Sequence, residues 1–215
     1  TVLSLAESGA LVGAPGSYRL ARPLEEIAVP TTVQAILAAR IDRLGEREKT
    51  LLQTASVIGR ELPEGLLRSV ADLPEHDLTD ALRALVRGEF LYEAALYPEP
   101  EFAFKHPLTQ EVAYQSQLGE RRARVHAAVA RAFEALDPLG TGERAALLAH
   151  HYEAAGEALP AARWHDRAAH WALRADFAEA RRHWERVRAL AGGLPESIES
   201  ADLLATACAQ LLLAG

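Results

Sequence analysis

Eight histidines, one cysteine and a short arginine cluster are the residues from which this chain could build chemistry. His106 ends the alternating run "FAFK" and stands directly before Pro107, in the stretch "FAFKHPLTQEVAY". His150 and His151 are adjacent, so on a helix their side chains diverge by about 100° and cannot share a metal. His165 and His170 are five apart, which also misses one helical face, and no His-Glu-x-x-His pattern occurs. These histidines are therefore expected to be structural or surface groups. Cys208 falls in an apolar helical pattern, where a buried, inert thiol is expected. A single cysteine excludes an internal disulfide and Cys-based metal sites. Gly13, Pro15 and Gly16 lack a Gly-Lys-Ser/Thr ending and a following helix start, so they spell a turn and not a phosphate loop. No Gly-x-Ser-x-Gly occurs, and acids such as Glu46 and Glu48 lie on solvated helix faces. No catalytic or metal-binding set is expected in this chain. Arg121, Arg122 and Arg124 form the one basic cluster.

Composition bounds the remaining options. The chain has 215 residues, is 49% hydrophobic and 25% charged, and carries a net charge of −7. That is a globular composition, long enough for one large domain or two small ones. No apolar run approaches the roughly 20 residues of a membrane helix, and no secretory leader pattern is present. A cytoplasmic setting and no membrane partner are expected. The absence of methionine, the helical pattern of "TVLSLAESGAL" and the apolar ending "ADLLATACAQLLLAG" suggest an excised piece of a larger protein.

The elements that position these residues follow from periodicity. Thr1 to Ala10 is helical in pattern. Leu11-Val12 and Tyr18 to Leu20 flank a turn, a hairpin signal. Thr31 or Thr32 can cap a helix with Val33, Ile36, Leu37, Ile41 and Leu44 on one face, closed by Gly45. "EREKTLLQTASVIG" places Leu51, Leu52, Ala55 and Ile58 on one face and stops at Gly59. "LPEGLLRSVA" is a short helix. "LPEHDLTDALRALVRG" turns Leu78, Ala81, Leu82, Leu85 and Val86 inward. "EFLYEAAL" and "FAFKH" are two strands about the turn "YPEPE"; if Phe104 is inward, Lys105 faces out or toward a neighbour. Three short helices followed by a hairpin is the order of a winged helix, with the hairpin as wing. From Pro107 onward the pattern is helical, in pairs broken at Gly142, Gly156–Pro160, Ala175–Asp176 and Gly192–Pro195. Trp164, Ala168 and Trp171, then Ala180 and Trp184, stand where a tetratricopeptide repeat places its large, small and aromatic residues. The expected fold class is mainly α: a winged-helix domain with a small hairpin wing, then TPR-like antiparallel helical pairs.

Winged helices often read DNA through their third helix. Here that helix carries Glu75, Asp77 and Asp80 against Arg83 and Arg87, and the wing tip adds Glu99 and Glu101. Acids facing phosphates oppose binding, so protein packing is favoured over nucleic acid.

The three stretches "VPTTVQAILAARIDRLGEREKTLLQTASVIGREL", "FAFKHPLTQEVAY" and "LLAHHYEAAGEALPAARWHDRAAHWALRADFAEA", in that order, resemble the region downstream of the ATPase core in STAND-type, AAA-related bacterial signalling NTPases. Such modules occur beside nucleotide cyclase domains or LuxR-type DNA-binding domains. The resemblance covers nearly the whole chain. It implies that 1–30 is the tail of the NTPase lid with a hairpin linker, 31–106 the winged helix, and 107–215 the repeat region. It implies that the phosphate loop and its acidic metal partner lie upstream, so that this portion does not hydrolyse ATP. By the same resemblance ATP or ADP would bind the core of the parent, itself an ATPase, with an adenylate or guanylate cyclase as a further expected activity. The partners implied are the protein's own NTPase core and output domain, with a protein partner on the repeats. It also implies a role for His106: in this family a histidine at the end of the winged helix, in a Met-His-Asp-like triplet, contacts the β-phosphate of ADP. Lys105 and Pro107 flank His106 here in place of Met and Asp. From the residues alone, His106 is equally a strand-end histidine satisfied by backbone groups. A nucleotide-independent interaction scaffold is the rival reading, and a DNA-binding winged helix a minor one.

Overall fold

The computed structural model describes residues 11–12, 19–20, 31–97, 99–136 and 142–213. The expected helix over Thr1 to Ala10 lies outside these, as do Pro98 of the expected wing tip and the capping side chains of Thr31 and Thr32. The chain divides into two compact units, 1–40 and 41–215. In the first, β1 (Leu11–Val12) pairs antiparallel with β2 (Arg19–Leu20), Leu11 opposite Leu20, as the turn signal predicts. Helix α1 (Thr31–Asp42) begins in this unit. Its expected apolar stripe is only partly used, since Val33 and Ile36 are exposed.

The second unit is mainly helical with a small three-stranded antiparallel sheet. It opens with α2 (Glu46–Ile58), whose first-turn acids Glu46 and Glu48 complement the helix dipole. Every residue from Leu51 to Ile58 is buried, so this is a central helix and not a one-faced one. Gly59 ends it at φ 145°, a conformation that L side chains rarely adopt. Two of the polar residues buried on α2, Gln53 and Ser56, are tied to the turn between α5 and α6. Gln53 donates to Ser116 Oγ at 3.0 Å, and Gln117 donates to the Gln53 carbonyl at 3.1 Å.

Then come β3 (Glu61–Pro63), α3 (Glu64–Val70), α4 (Glu75–Arg87), β4 (Leu91–Ala95) and β5 (Glu101–Phe104). The sheet order is β3-β5-β4, with Leu62 opposite Phe102 and Leu91 opposite Phe104. The hairpin β4–β5 is where the sequence puts it. Strand β3 is not legible there, because its three residues carry no alternation and run straight into a helix. Phe102 and Phe104 are buried and Lys105 is exposed, as the period-two pattern requires. The loop before β5 caps α3: Glu99 Oε1 accepts the Gly65 N–H at 2.8 Å, and the Pro100 carbonyl accepts that of Glu64 at 2.9 Å.

Six further helices complete the unit: α5 (Pro107–Gln115), α6 (Gly119–Leu136), α7 (Gly142–Ala154), α8 (Ala158–Ala172), α9 (Phe177–Ala191) and α10 (Ile198–Leu213). One core joins α2, α3, α4 and the sheet to Ala113 of α5 and Val129 of α6. Residues before and after His106 therefore share a core, and no compact-unit boundary falls at 106/107. A second core lies among α6, α7 and α8, around Trp164 and six alanine-and-leucine positions such as Ala145 and Leu148. A third lies among α8, α9 and α10, around Trp184, Ala180 and Val187. The alanines let consecutive helices, joined by short turns, fold back against each other closely.

Three details differ from the sequence reading. Trp171 is 45% exposed and lies over Gly142, where a Cβ would collide with the indole. Gly142 is the first residue of α7, at the break the sequence predicts, and its lack of a side chain makes room for the ring. Pro160 lies inside the first turn of α8, where a missing N–H costs nothing. Cys208 is half-buried, not fully buried. Among the described residues, no helix is long and apolar enough to cross a membrane.

Candidate functional site

His106 occupies the N-cap position of α5 with extended backbone, φ −140° and ψ 137°. Pro107 follows at the first helical position, where its ring suits the helix. The His106 carbonyl accepts the Thr109 N–H at 2.9 Å, and Lys105 N–H donates to Phe90 O at 3.0 Å, so the backbone on both sides is fixed. The imidazole itself is exposed and caps nothing. It makes no hydrogen bond among the described residues.

Pro107 also lines an open cleft of about 370 Å³ between the end of α2 and helices α5, α6 and α7. Its polar wall is a chain of rings. Tyr114 Oη lies 3.0 Å from His126 Nε2, and His126 Nδ1 lies 2.9 Å from His151 Nδ1. His150 packs edge-on against His126 at 5.7 Å between centroids and against His151 at 5.5 Å. Arg122 stacks over Tyr114 at 4.7 Å. A hydrogen bond between two Nδ1 atoms requires one ring to donate and the other to accept, so one ring carries its proton on Nδ1 and the other is bare there. Burial pushes His126 down to about 4, helped by His150 and Arg122. Burial pushes His151 down to about 3, helped by His126 and His150. His151 is 1% exposed and its Nε2 has no partner among the described residues.

A second ladder crosses α7, α8 and α9. Glu153 accepts from His165 Nε2 at 2.9 Å, and His165 Nδ1 lies 2.8 Å from His183 Nδ1. The carboxylate fixes the tautomers: His165 donates through Nε2, so its Nδ1 accepts from His183. Arg186 clamps the same carboxylate at 2.5 Å. Burial alone would raise Glu153, but the bonds from Arg186 and His165 outweigh it and hold the carboxyl below its usual range. Burial lowers His165 and His183 despite the nearby acids.

The sequence reading treated these histidines as unrelated, and the structure pairs them across helices. The signal was present. His126, Val129, Ala130 and Phe133 share one helical face, as do Ala161, His165, Ala168 and Ala172, so each histidine lies on an apolar stripe. Which histidine faces which depends on helix packing and is not written in spacing. Among the described residues, no group of three His, Cys, Asp or Glu side chains is arranged to hold a metal ion.

In the comparisons with known proteins, no protein-family model matches the chain, and no curated protein does.

The third helix of the expected winged helix, α4, spends its charges internally. Asp77 pairs with Arg47 of α2 at 2.5 Å, and Glu75 pairs with Arg68 of α3 at 2.5 Å. Arg83 meets Asp80 at 3.5 Å. Between α4 and the hairpin runs an apolar groove of about 210 Å³, lined in part by Leu82, Val86, Leu96 and Phe102.

Proposed function

We propose that this chain is the regulatory and interaction portion of a multidomain, ATP-dependent signalling protein, and that it couples nucleotide state to an output domain. The elements from α2 to β5 act as a winged helix, and α7 to α10 act as TPR-like pairs that receive a partner or pack on the nucleotide core. The observation that carries the reading is His106. Its backbone is pinned on both sides, while its imidazole is exposed and unbonded among the described residues. A donor on a fixed backbone, without an internal partner among the described residues, is available to an external acceptor, and an ADP phosphate oxygen is a strong one. Exchange of ADP for ATP would then shift the balance between a locked and an open state. The test is ADP affinity in the full-length protein, wild type against His106→Ala. The reading expects a loss of about 1.5–3 kcal/mol, roughly tenfold or more. Unchanged affinity with a sharp fall in melting temperature would return His106 to a structural role.

A nucleotide-independent scaffold is the second reading. It is favoured by the exposed Trp171, Leu173 and Phe177 around the α8–α9 turn, an apolar surface suited to a protein partner. A phosphate loop upstream in the parent gene would decide for the first reading. Duplex binding is the least supported: the acids of α4 are paired with Arg47, Arg68 and Arg83 within the fold, and the groove beside it is apolar.

A further inference from the structure

The basic cluster has one member whose role is visible: Arg122 stacks on Tyr114. Arg121 and Arg124 are three residues apart on α6 and so share a face that Arg122 does not. Neither makes an ion pair among the described residues, in a chain whose net charge is −7. Both line a separate cleft of about 420 Å³, between α2, the end of α3 and α6.

The wall opposite the arginines is supplied by Thr50 and Thr54 of α2. Thr54 is 3% exposed, yet its hydroxyl makes no hydrogen bond among the described residues. A hydroxyl on a buried helix normally bonds the carbonyl one turn back, as Thr79 does with Glu75 at 3.0 Å. Thr54 shows no such bond among the described residues and lines the cleft. Two guanidiniums without an ion pair among the described residues and one threonine hydroxyl line the same space, and all of them can donate. Such a set fits an oxyanion, and a phosphate best, because its oxygens can accept from all of them at once. The rest of the lining is apolar, with Leu73 and Val125 among it. The volume falls in the range of small-molecule sites and exceeds the needs of a bare ion. Asp72 lies exposed in the same lining, and its charge opposes an extended polyanion while tolerating one phosphate beside two arginines.

We propose that this cleft binds an organic phosphate monoester, its phosphate held by Arg121, Arg124 and the Thr54 hydroxyl and its organic body against Leu73 and Val125. The site is independent of His106 and of the nucleotide reading.

The test is calorimetric titration of the full chain with phenyl phosphate, inorganic phosphate, benzoate and benzyl alcohol at fixed ionic strength. Saturable binding is expected for phenyl phosphate, weaker binding for inorganic phosphate, and none for benzyl alcohol. Arg121→Gln/Arg124→Gln should weaken phenyl phosphate roughly tenfold or more, since charge-assisted bonds are lost. Thr54→Val, which keeps shape, should weaken it several-fold, and Thr54→Ser should retain it. Absence of saturable phenyl phosphate binding, or binding undiminished in the double arginine variant, overturns the proposal. Benzoate binding as tightly as phenyl phosphate overturns the phosphate assignment. Urea melts of each variant distinguish a lost contact from a lost fold.

Discussion

The His126–His151 pair makes the stability of this chain steeply dependent on pH. Both folded-state values, about 4 and about 3, lie below the ordinary 6.5, with burial as the main cause. The unfolded chain therefore takes up protons first. The pair's contribution is complete at pH 7.5 and above, and it is lost as pH falls through 6.5 toward the folded values. At pH 5 each unfolded histidine is stabilised by protonation to the extent of about 1.5 pK units, or about 2 kcal/mol, while the folded rings remain neutral. Two such groups give about 4 kcal/mol, a large fraction of the roughly 5–15 kcal/mol that holds a domain together. That figure is set by the unfolded value and the chosen pH, so it does not depend on how far below 5 the folded values lie. The assay is urea unfolding at pH 7.5 and pH 5, on wild type and on His126→Gln/His151→Gln. The variant removes the titrating groups and keeps polar side chains. Other titrating groups, His165, His183 and Asp166 among them, are common to both proteins and cancel in the comparison. The drop between the two pH values should be about 4 kcal/mol smaller in the variant, whatever its absolute stability. Equal drops in the two proteins would refute the buried, neutral pair.

Trp184 is fully buried and Trp171 is 45% exposed, although the repeat pattern treats both as inward aromatics. Trp184→Ala should cost about 3–5 kcal/mol by urea unfolding, and Trp171→Ala markedly less; equal costs would contradict the packing of α8 to α10. Glu99→Ala should remove the cap on α3, at about 0.5–1 kcal/mol, with faster amide exchange at Gly65; unchanged exchange there would mean that Glu99 does not hold the helix. Arg47→Ala should loosen α4 from α2 by no more than about 1 kcal/mol, since Arg47 is mostly exposed; a larger loss in unfolding would mark Asp77 as a structural ion that needs its partner.

How much of this was written in the sequence can be argued residue by residue. The period-two run Phe102–Phe104 and the period 3.6 after Pro107 state which side faces inward, and both hold because each element buries a face of its own. Helix α2 escapes that logic: it is wrapped on all sides, so Gln53, Thr54 and Ser56 read as a polar face although they are buried. The environment of Gln53 and Ser56 is made by Ser116 and Gln117, some sixty residues later, which no local pattern can express. Strand β3 was invisible for a related reason, since three residues gain strand character only from pairing with β5. The exposure of His106 was open from sequence alone, because a histidine on a strand–helix junction bonds the backbone or does not according to its rotamer. The histidine pairs were half legible: each apolar stripe carried its histidine, and only helix packing decided its partner.

The central claim is that the His106 segment reads nucleotide state. It is tested most directly by hydrogen exchange of the backbone from Phe102 to Gln115 in the full-length protein, with ADP and with a non-hydrolysable ATP analogue, in wild type and in His106→Ala. The account predicts slower exchange in this segment with ADP than with the analogue, and loss of that difference in the variant. Exchange that is the same with either nucleotide in wild type would contradict it.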